Sequence, residues 1–173
     1  MKEKNNFIIM IFILTFILSI VFSAVSNVMA ANFNDAVLAI ILVLVIALGI
    51  VFDMIGTAAI TAHESSFHSM SSAKVEGAKE TITLIKNSNQ ISSICNDVVG
   101  DVCGIISGGI GAVLAISISS KVSIDNTIIS VLISAFISSF TVGGKAICKK
   151  IAMEKCDNIL FIVGKLKHFL KMK

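Results

Sequence analysis

The sequence predicts an all-α integral membrane protein with four transmembrane helices. An amphipathic cytoplasmic helix is expected between spans two and three, and a basic amphipathic helix at the C-terminus. Three observations predict it. Of the 173 residues 55% are hydrophobic and only 14% charged, with a mean hydropathy of +0.95, well outside a soluble domain. Four long stretches carry no charge. The basic residues, all 14 of them lysine, are distributed one-sidedly between those stretches.

The first stretch, 7–30, has 24 uncharged residues. A cleaved signal peptide is the other reading of it: Asn27-Val28-Met29-Ala30 before Ala31 resembles a cleavage site, and Lys2 and Lys4 give a basic n-region. Its apolar core exceeds the usual ~7–15 residues, which favours an uncleaved helix. The second stretch, 36–52, has 17 residues, and its pattern continues past Asp53 to Ile60. The third, 102–120, has 19, with Asn96, Asp97 and Asp101 just before it. The fourth, 127–144, has 18 and ends at Lys145. Crossing a bilayer core of about 30 Å takes about 20 helical residues, so each qualifies if its polar end joins the helix. Helices are the expected form, because unsatisfied amides in lipid cost several kcal/mol each.

With four crossings and both termini cytoplasmic, 13 of the 14 lysines fall on one side, Lys121 being the exception. That pattern predicts a multi-pass plasma-membrane protein. Proline, tryptophan, tyrosine and arginine are absent, so any aromatic belt rests on phenylalanine.

The polar segment 61–90 carries Val75, Ala78, Ile82 and Ile85 at helical spacing, which predicts an amphipathic helix over 72–85. Asn87, Ser88 and Asn89 break it. After Cys148, Ile159, Ile162, Val163, Leu166 and Leu170 form one stripe, with Lys155, Lys165, Lys167, Lys171 and Lys173 mainly off it. Such a basic amphipathic helix suits an anionic lipid face or the underside of a bundle. The expected organisation is an added N-terminal helix and outer loop (1–35), a transmembrane domain (36–148) and a juxtamembrane helix (149–173).

Catalytic signatures are missing: there is no P-loop or nucleophile elbow, and an enzyme is not expected. His63-Glu64-Ser65-Ser66-Phe67-His68 superficially resembles a zinc-protease motif. That motif needs histidines four apart. Five apart, they diverge by roughly 140° around a helix. Polar loop or interface residues are the expectation there. Cys95, Cys103, Cys148 and Cys156 form no CxxC pair and read as buried, unreactive thiols.

The third span holds the most informative residues. Asp97 and Asp101 lie four apart and share a helix face. Gly100, Gly104 and Gly108 form a neighbouring row at the same spacing, a small-residue ridge suited to helix packing. Carboxylate and amide oxygens are the ligands hard divalent cations prefer. Asn96, Asp97, Asp101 and Asp53 are therefore candidate metal ligands at the inner mouth of spans two and three. Interfacial solvation is the alternative reading of the two span-three acids. Membrane-embedded charges usually pair, and Lys145 is the candidate partner for Asp97 or Asp101.

Residues from Phe52 onward resemble the transmembrane domain of the CNNM/CorC magnesium transport family. That family has an F-S-x-S-E-T-A-like signature, a cytoplasmic AxxALKLL helix, a G-N-x-x-V-N helix start and a last span ending G-E-x-x-P-K. Here Phe52-Asp53-Met54-Ile55-Gly56-Thr57-Ala58 is followed by Gly77-Ala78-Lys79-Glu80-Thr81-Ile82-Thr83-Leu84-Ile85. Then come Cys95-Asn96-Asp97-Val98-Val99-Gly100 and Gly144-Lys145-Ala146-Ile147-Cys148-Lys149. The resemblance spans about residues 36–173 and implies an inward-facing acidic cavity that handles Mg²⁺ or Co²⁺, in a homodimer. No resident cofactor and no nucleic acid partner are expected. Asn96 matches the family asparagine, and Asp53 falls at a serine position. Ile55, Gly56, Gly100, Lys145 and Cys148 depart from the pattern, and the CBS domains common in the family are absent from these 173 residues. A lysine where the last span's acid belongs would repel a cation. That leaves two expectations: a divalent-cation transporter, or a non-transporting scaffold that keeps the fold.

Overall fold

With no proline in the chain, little in the apolar stretches can stop a helix, and the computed structural model is helical throughout its regular parts. It describes residues 2–171, with the side chains at 2–8, 22, 26, 27 and 29–32 outside the description. The expected roles of Lys2, Lys4 and Lys173, and most of the cleavage-like stretch 27–30, therefore lie outside the described residues. The helices are α1 (Lys2–Asn32), α2 (Asp35–Thr61), α3 (Ser65–Ser72), α4 (Ala78–Lys86), α5 (Ser88–Ser92), a π-helical segment (Ser93–Val99), α6 (Gly100–Val122), α7 (Asn126–Glu154) and α8 (Cys156–Lys171). No strand occurs among the described residues.

Among the described residues, three helices are long and apolar enough to cross a membrane: α2, the run Ser88–Val122, and α7, with 27, 35 and 29 residues. At 1.5 Å per residue they reach about 40, 52 and 43 Å, all beyond a core of about 30 Å. This is the pattern of a multi-pass membrane protein. The fourth expected span falls in α1, whose described apolar stretch is the 17-residue Ile9–Val25. Large exposed apolar side chains cover the outer faces, among them Ile40, Val43 and Leu44 on α2 and Leu132, Phe136 and Phe140 on α7. A surface of this kind suits lipid rather than water.

The chain divides into two compact units. The first holds residues 1–50 and 98–144. Leu38, Ile110 and Leu114 are its buried centre, with Ile41, Leu42, Ile106, Val113 and Ile133 packed around them, and α1 lies along α6. Asp35, in the first turn of α2, accepts from Ser117 Oγ at 2.8 and 2.9 Å and pairs with Lys121 Nζ at 2.6 Å. Asp125 accepts the Thr127 N–H at 2.7 Å and so caps the start of α7, which holds its carboxyl below the usual range. The expected glycine ridge divides. Gly100 is buried, but Gly104 and Gly108 have open space where a Cβ would stand. They edge a groove shared with Ser134, Ser138 and Thr141 of α7. Close packing of α6 on α7 occurs instead at Gly111, where an added Cβ would collide with Ile137.

The second unit holds residues 51–97 and 145–173. Its buried cluster joins Ala58 and Ala59 near α2's end, Ala62 just past it, Leu84 of α4, Ala152 of α7, and Cys156 and Leu160 of α8. The amphipathic helix expected over 72–85 is instead two helices. Lys74 has φ +57° and Gly77 φ +86°, left-handed values that interrupt the chain, so α4 starts only at Ala78. Gly77 is also required sterically, since an added Cβ would lie 2.8 Å from the Lys165 backbone. Gly164 returns the fit, its own added Cβ reaching Thr81 and the Gly77 carbonyl. These two glycines let α4 and α8 touch backbone to backbone. Phe67 of α3, fully buried, stacks on Phe161 of α8 with ring centroids 6.1 Å apart, and Lys165 Nζ sits 4.7 Å over the Phe161 ring.

The C-terminal stripe also differs from expectation. Ile159 and Val163 turn inward onto the cluster around Leu160, while Ile162, Leu166 and Leu170 remain exposed. The basic helix begins at Cys156, because α7 runs on past Lys145 to Glu154.

His168 Nδ1 stands 3.1 Å from Glu80 Oε1, linking α8 to α4. The hydrogen bond from His168 holds the Glu80 carboxyl below its ordinary range. A lowered carboxylate stabilises the fold fully above its unfolded value of about 4.3. That contribution is lost as pH falls through the lower folded value. Acidification below about pH 4 is therefore expected to loosen α8 from α4. Amide hydrogen exchange across residues 160–171, compared in wild type and Glu80→Gln, checks this. The variant's exchange should be the less dependent on pH in that window.

Candidate functional site

The second unit contains a buried acid. Asp53, on the face of α2 turned into that unit, is 3% exposed. Its backbone carbonyl accepts from Thr57 Oγ1 at 2.9 Å, an ordinary back-bond within the helix. Its carboxylate faces two ammonium groups of α7: Lys145 Nζ is 3.8 Å from Oδ1 and Lys149 Nζ is 3.7 Å from Oδ2. Both distances are in ion-pair range but beyond hydrogen-bond length. Asp53 Oδ2 has no hydrogen-bond partner. The two lysines are four apart and so share one face of α7. Lys145 is about a quarter exposed and Lys149 half exposed.

Asn96 lies in the π-helical segment, where the backbone is wound wider than an α-helix. Its Nδ2 donates to Ser92 Oγ at 3.1 Å. Its Oδ1 is buried with no hydrogen-bond partner and presses on α2 at Gly56, where any Cβ would collide with it. Gly56 follows Asp53 by three residues, so Asn96 Oδ1 meets α2 within one turn of the residue that carries the other unpartnered oxygen.

The other sequence candidates lie differently. Asp97 is exposed, although it follows Asn96 directly. Asp101 is exposed on α6 and belongs to the first unit. Lys145, expected opposite Asp97 or Asp101, is placed against Asp53 instead. Gly100, Gly104 and Gly108 belong to the first unit and take no part in this centre. The residue that sequence reasoning missed is Lys149. Its signal was legible as a second lysine one helical turn past Lys145, provided α7 was expected to continue.

The donor set supports a limited chemistry. One carboxylate and one amide oxygen are available to a hard cation, where Mg²⁺ prefers six oxygens including water. At an effective dielectric of about 20, each ammonium about 4 Å from Asp53 attracts it by about 4 kcal/mol. A divalent ion seated on Asp53 at comparable distances would be repelled by each lysine by about 8 kcal/mol. The carboxylate would attract that ion by about 8 kcal/mol at the same distance, against about 16 kcal/mol of repulsion from the two lysines together, so the balance favours the ion pairs over the metal. Comparison of the chain with known protein families, curated proteins and solved structures finds no match.

Proposed function

We propose that this chain is a non-transporting membrane scaffold or regulatory protein of CNNM/CorC-like architecture, in which lysines close the position of an ion site. One observation carries the reading: Lys145 and Lys149 both stand in ion-pair range of the buried Asp53. The pairs tie α2 to α7 and leave one net positive charge where a cation would need a negative one. Both termini are cytoplasmic in this reading, α1 is the fourth span, and α8 lays Ile162, Leu166 and Leu170 on an anionic lipid face with its lysines beside them. Lys121 stands alone on the outer side, where Asp35 neutralises it. A second copy would dock along the groove beside Gly104 and Gly108.

Mg²⁺ titration of the purified protein's melting temperature tests the reading. A site filled at 100 times its Kd adds about 2.7 kcal/mol, or about 5–10 °C for a chain of this size. Wild type is expected to show no such rise and no Mg²⁺ flux in proteoliposomes, whereas Lys145→Glu gains a Mg²⁺ response. A wild-type rise that disappears in Asp53→Asn would sink the proposal.

That last outcome would support the second reading, a divalent-cation transporter. Its motivating observation is the pair of buried acceptor oxygens, Asp53 Oδ2 and Asn96 Oδ1, that have no hydrogen-bond partner. Buried acceptors are ordinarily satisfied, and a cation can meet that demand as well as a donor can. Transport in this reading requires the two lysines to swing away from Asp53.

A further inference from the structure

We propose a zinc-type transition-metal site made of His63, Cys156 and Asp157, independent of the Asp53 centre and using none of its residues. His63 follows the end of α2, and Cys156 and Asp157 open α8. One imidazole nitrogen, the Cys156 thiol sulfur and one Asp157 carboxylate oxygen all lie within 4.8 Å of one another. Cys156 Sγ is 3.8 Å from Asp157 Oδ1, and that same oxygen accepts the His63 N–H at 3.1 Å. Asp157 Oδ2 accepts from Ser66 Oγ at 3.0 Å. The aspartate thus fixes the His63 backbone beside the thiol. Hydrogen bonding to Asp157 accounts for the positions of the carboxylate, the neighbouring thiol and the His63 backbone, but not for the approach of the imidazole to them.

The donor set selects the ion. Thiolate, imidazole and carboxylate together suit Zn²⁺ and its neighbours in the first transition row, whereas Mg²⁺ and Ca²⁺ take oxygen ligands. With metal–ligand bonds of about 2.0–2.3 Å, ligands on a tetrahedral ion stand roughly 3.3–3.6 Å apart. From a separation of up to 4.8 Å the triad needs to close by up to about 1.5 Å, which side-chain rotation supplies. His63 is exposed and Cys156 buried, so the ion enters from the imidazole side and meets the thiol last. Three protein ligands leave one position open for water or an exchangeable ligand. Binding replaces the thiol proton by the metal and releases that proton. It also clamps the end of α2 to the start of α8, beside the cluster that already contains Cys156.

The test uses the full chain in detergent after exhaustive chelator dialysis, with Co²⁺ as the optical probe and Zn²⁺ as competitor. The expected result is one Co²⁺ per chain, a thiolate-to-cobalt absorption band, and its loss on adding Zn²⁺. Cys156→Ser should abolish the band, while Cys148→Ser leaves it intact. His63→Gln should weaken binding by more than about 100-fold, because losing only a supporting hydrogen bond to a ligand already costs about 10–100-fold. Absence of the band in wild type, or its survival in Cys156→Ser, overturns the site. If Cys156→Ser fails to fold, His63→Gln decides, since unchanged affinity there overturns it equally. Asp53→Asn should bind Co²⁺ as wild type does, which separates this outcome from that of the Mg²⁺ experiment.

Discussion

Asp53→Ala is expected to lower stability by about 3–5 kcal/mol, or roughly 6–20 °C in melting temperature for a chain of this length. The reason is what it leaves behind. The carboxylate is buried, and both of its charged neighbours reach it from α7. Removing it leaves the partly buried Lys145 without this counter-charge. Lys145→Ala should cost less, because Lys149 still faces the carboxylate. Lys149→Ala should cost less again, because that side chain is half exposed and screened.

The double variant Asp53→Leu/Lys145→Met separates charge from packing. Replacing a buried ion pair by apolar residues of similar volume is often neutral or stabilising, whereas deleting one partner is not. The double variant should therefore recover most of the stability that Asp53→Ala loses. Thermal melts of the four variants in one detergent check the series. An Asp53→Ala melting temperature within a degree of wild type would show that the lysines do not depend on this acid.

The residues that were legible in the sequence are those whose signal is periodic and local. Uncharged runs of 17 or more residues located α2, the Ser88–Val122 run and α7, because lipid imposes both a length and an apolar composition. The small row at Gly100, Gly104 and Gly108 was legible as a face of α6, but which of its members meet another helix depends on tertiary packing. The stripe could not show that Gly104 and Gly108 border open space while Gly111 carries the contact with Ile137. The pairing of Asp53 with Lys145 was likewise hidden. Charge in a membrane requires a partner, and the expectation of one for Lys145 came from that rule. The choice between Asp53, Asp97 and Asp101 depends on helix rotation over many residues, and the π-helical segment at Ser93–Val99 alters that rotation with no marker in the sequence. The break at Lys74–Gly77 was missed for another reason. A lysine with positive φ is uncommon, and Gly77 alone reads as a weak interruption of an otherwise helical pattern. His63 lies 93 residues before the adjacent pair Cys156 and Asp157, beyond the reach of any spacing rule.

Leu160→Ala is expected to cost about 2–5 kcal/mol, because this side chain joins four helices of the second unit. Leu160 is 0% exposed and touches a cluster built largely from alanines: Ala58 and Ala59 of α2, Ala62 just past its end, and Ala152 of α7. Alanines allow the helices to approach closely, but they have no rotamers with which to fill a void. A cavity left at Leu160 would therefore stay open, placing the cost toward the upper end of the range. The loss should appear locally as well. Gly77 and Gly164 hold α4 and α8 at backbone contact, so detachment of α8 removes the packing of Phe161 on Phe67 together with the Glu80–His168 link. Limited proteolysis should accordingly cut Leu160→Ala between residues 155 and 171 before it cuts elsewhere, while Leu166→Ala, an exposed position on the same helix, should resist as wild type does. Equal cleavage of the two variants would mean that α8 is held by the membrane surface and not by this cluster.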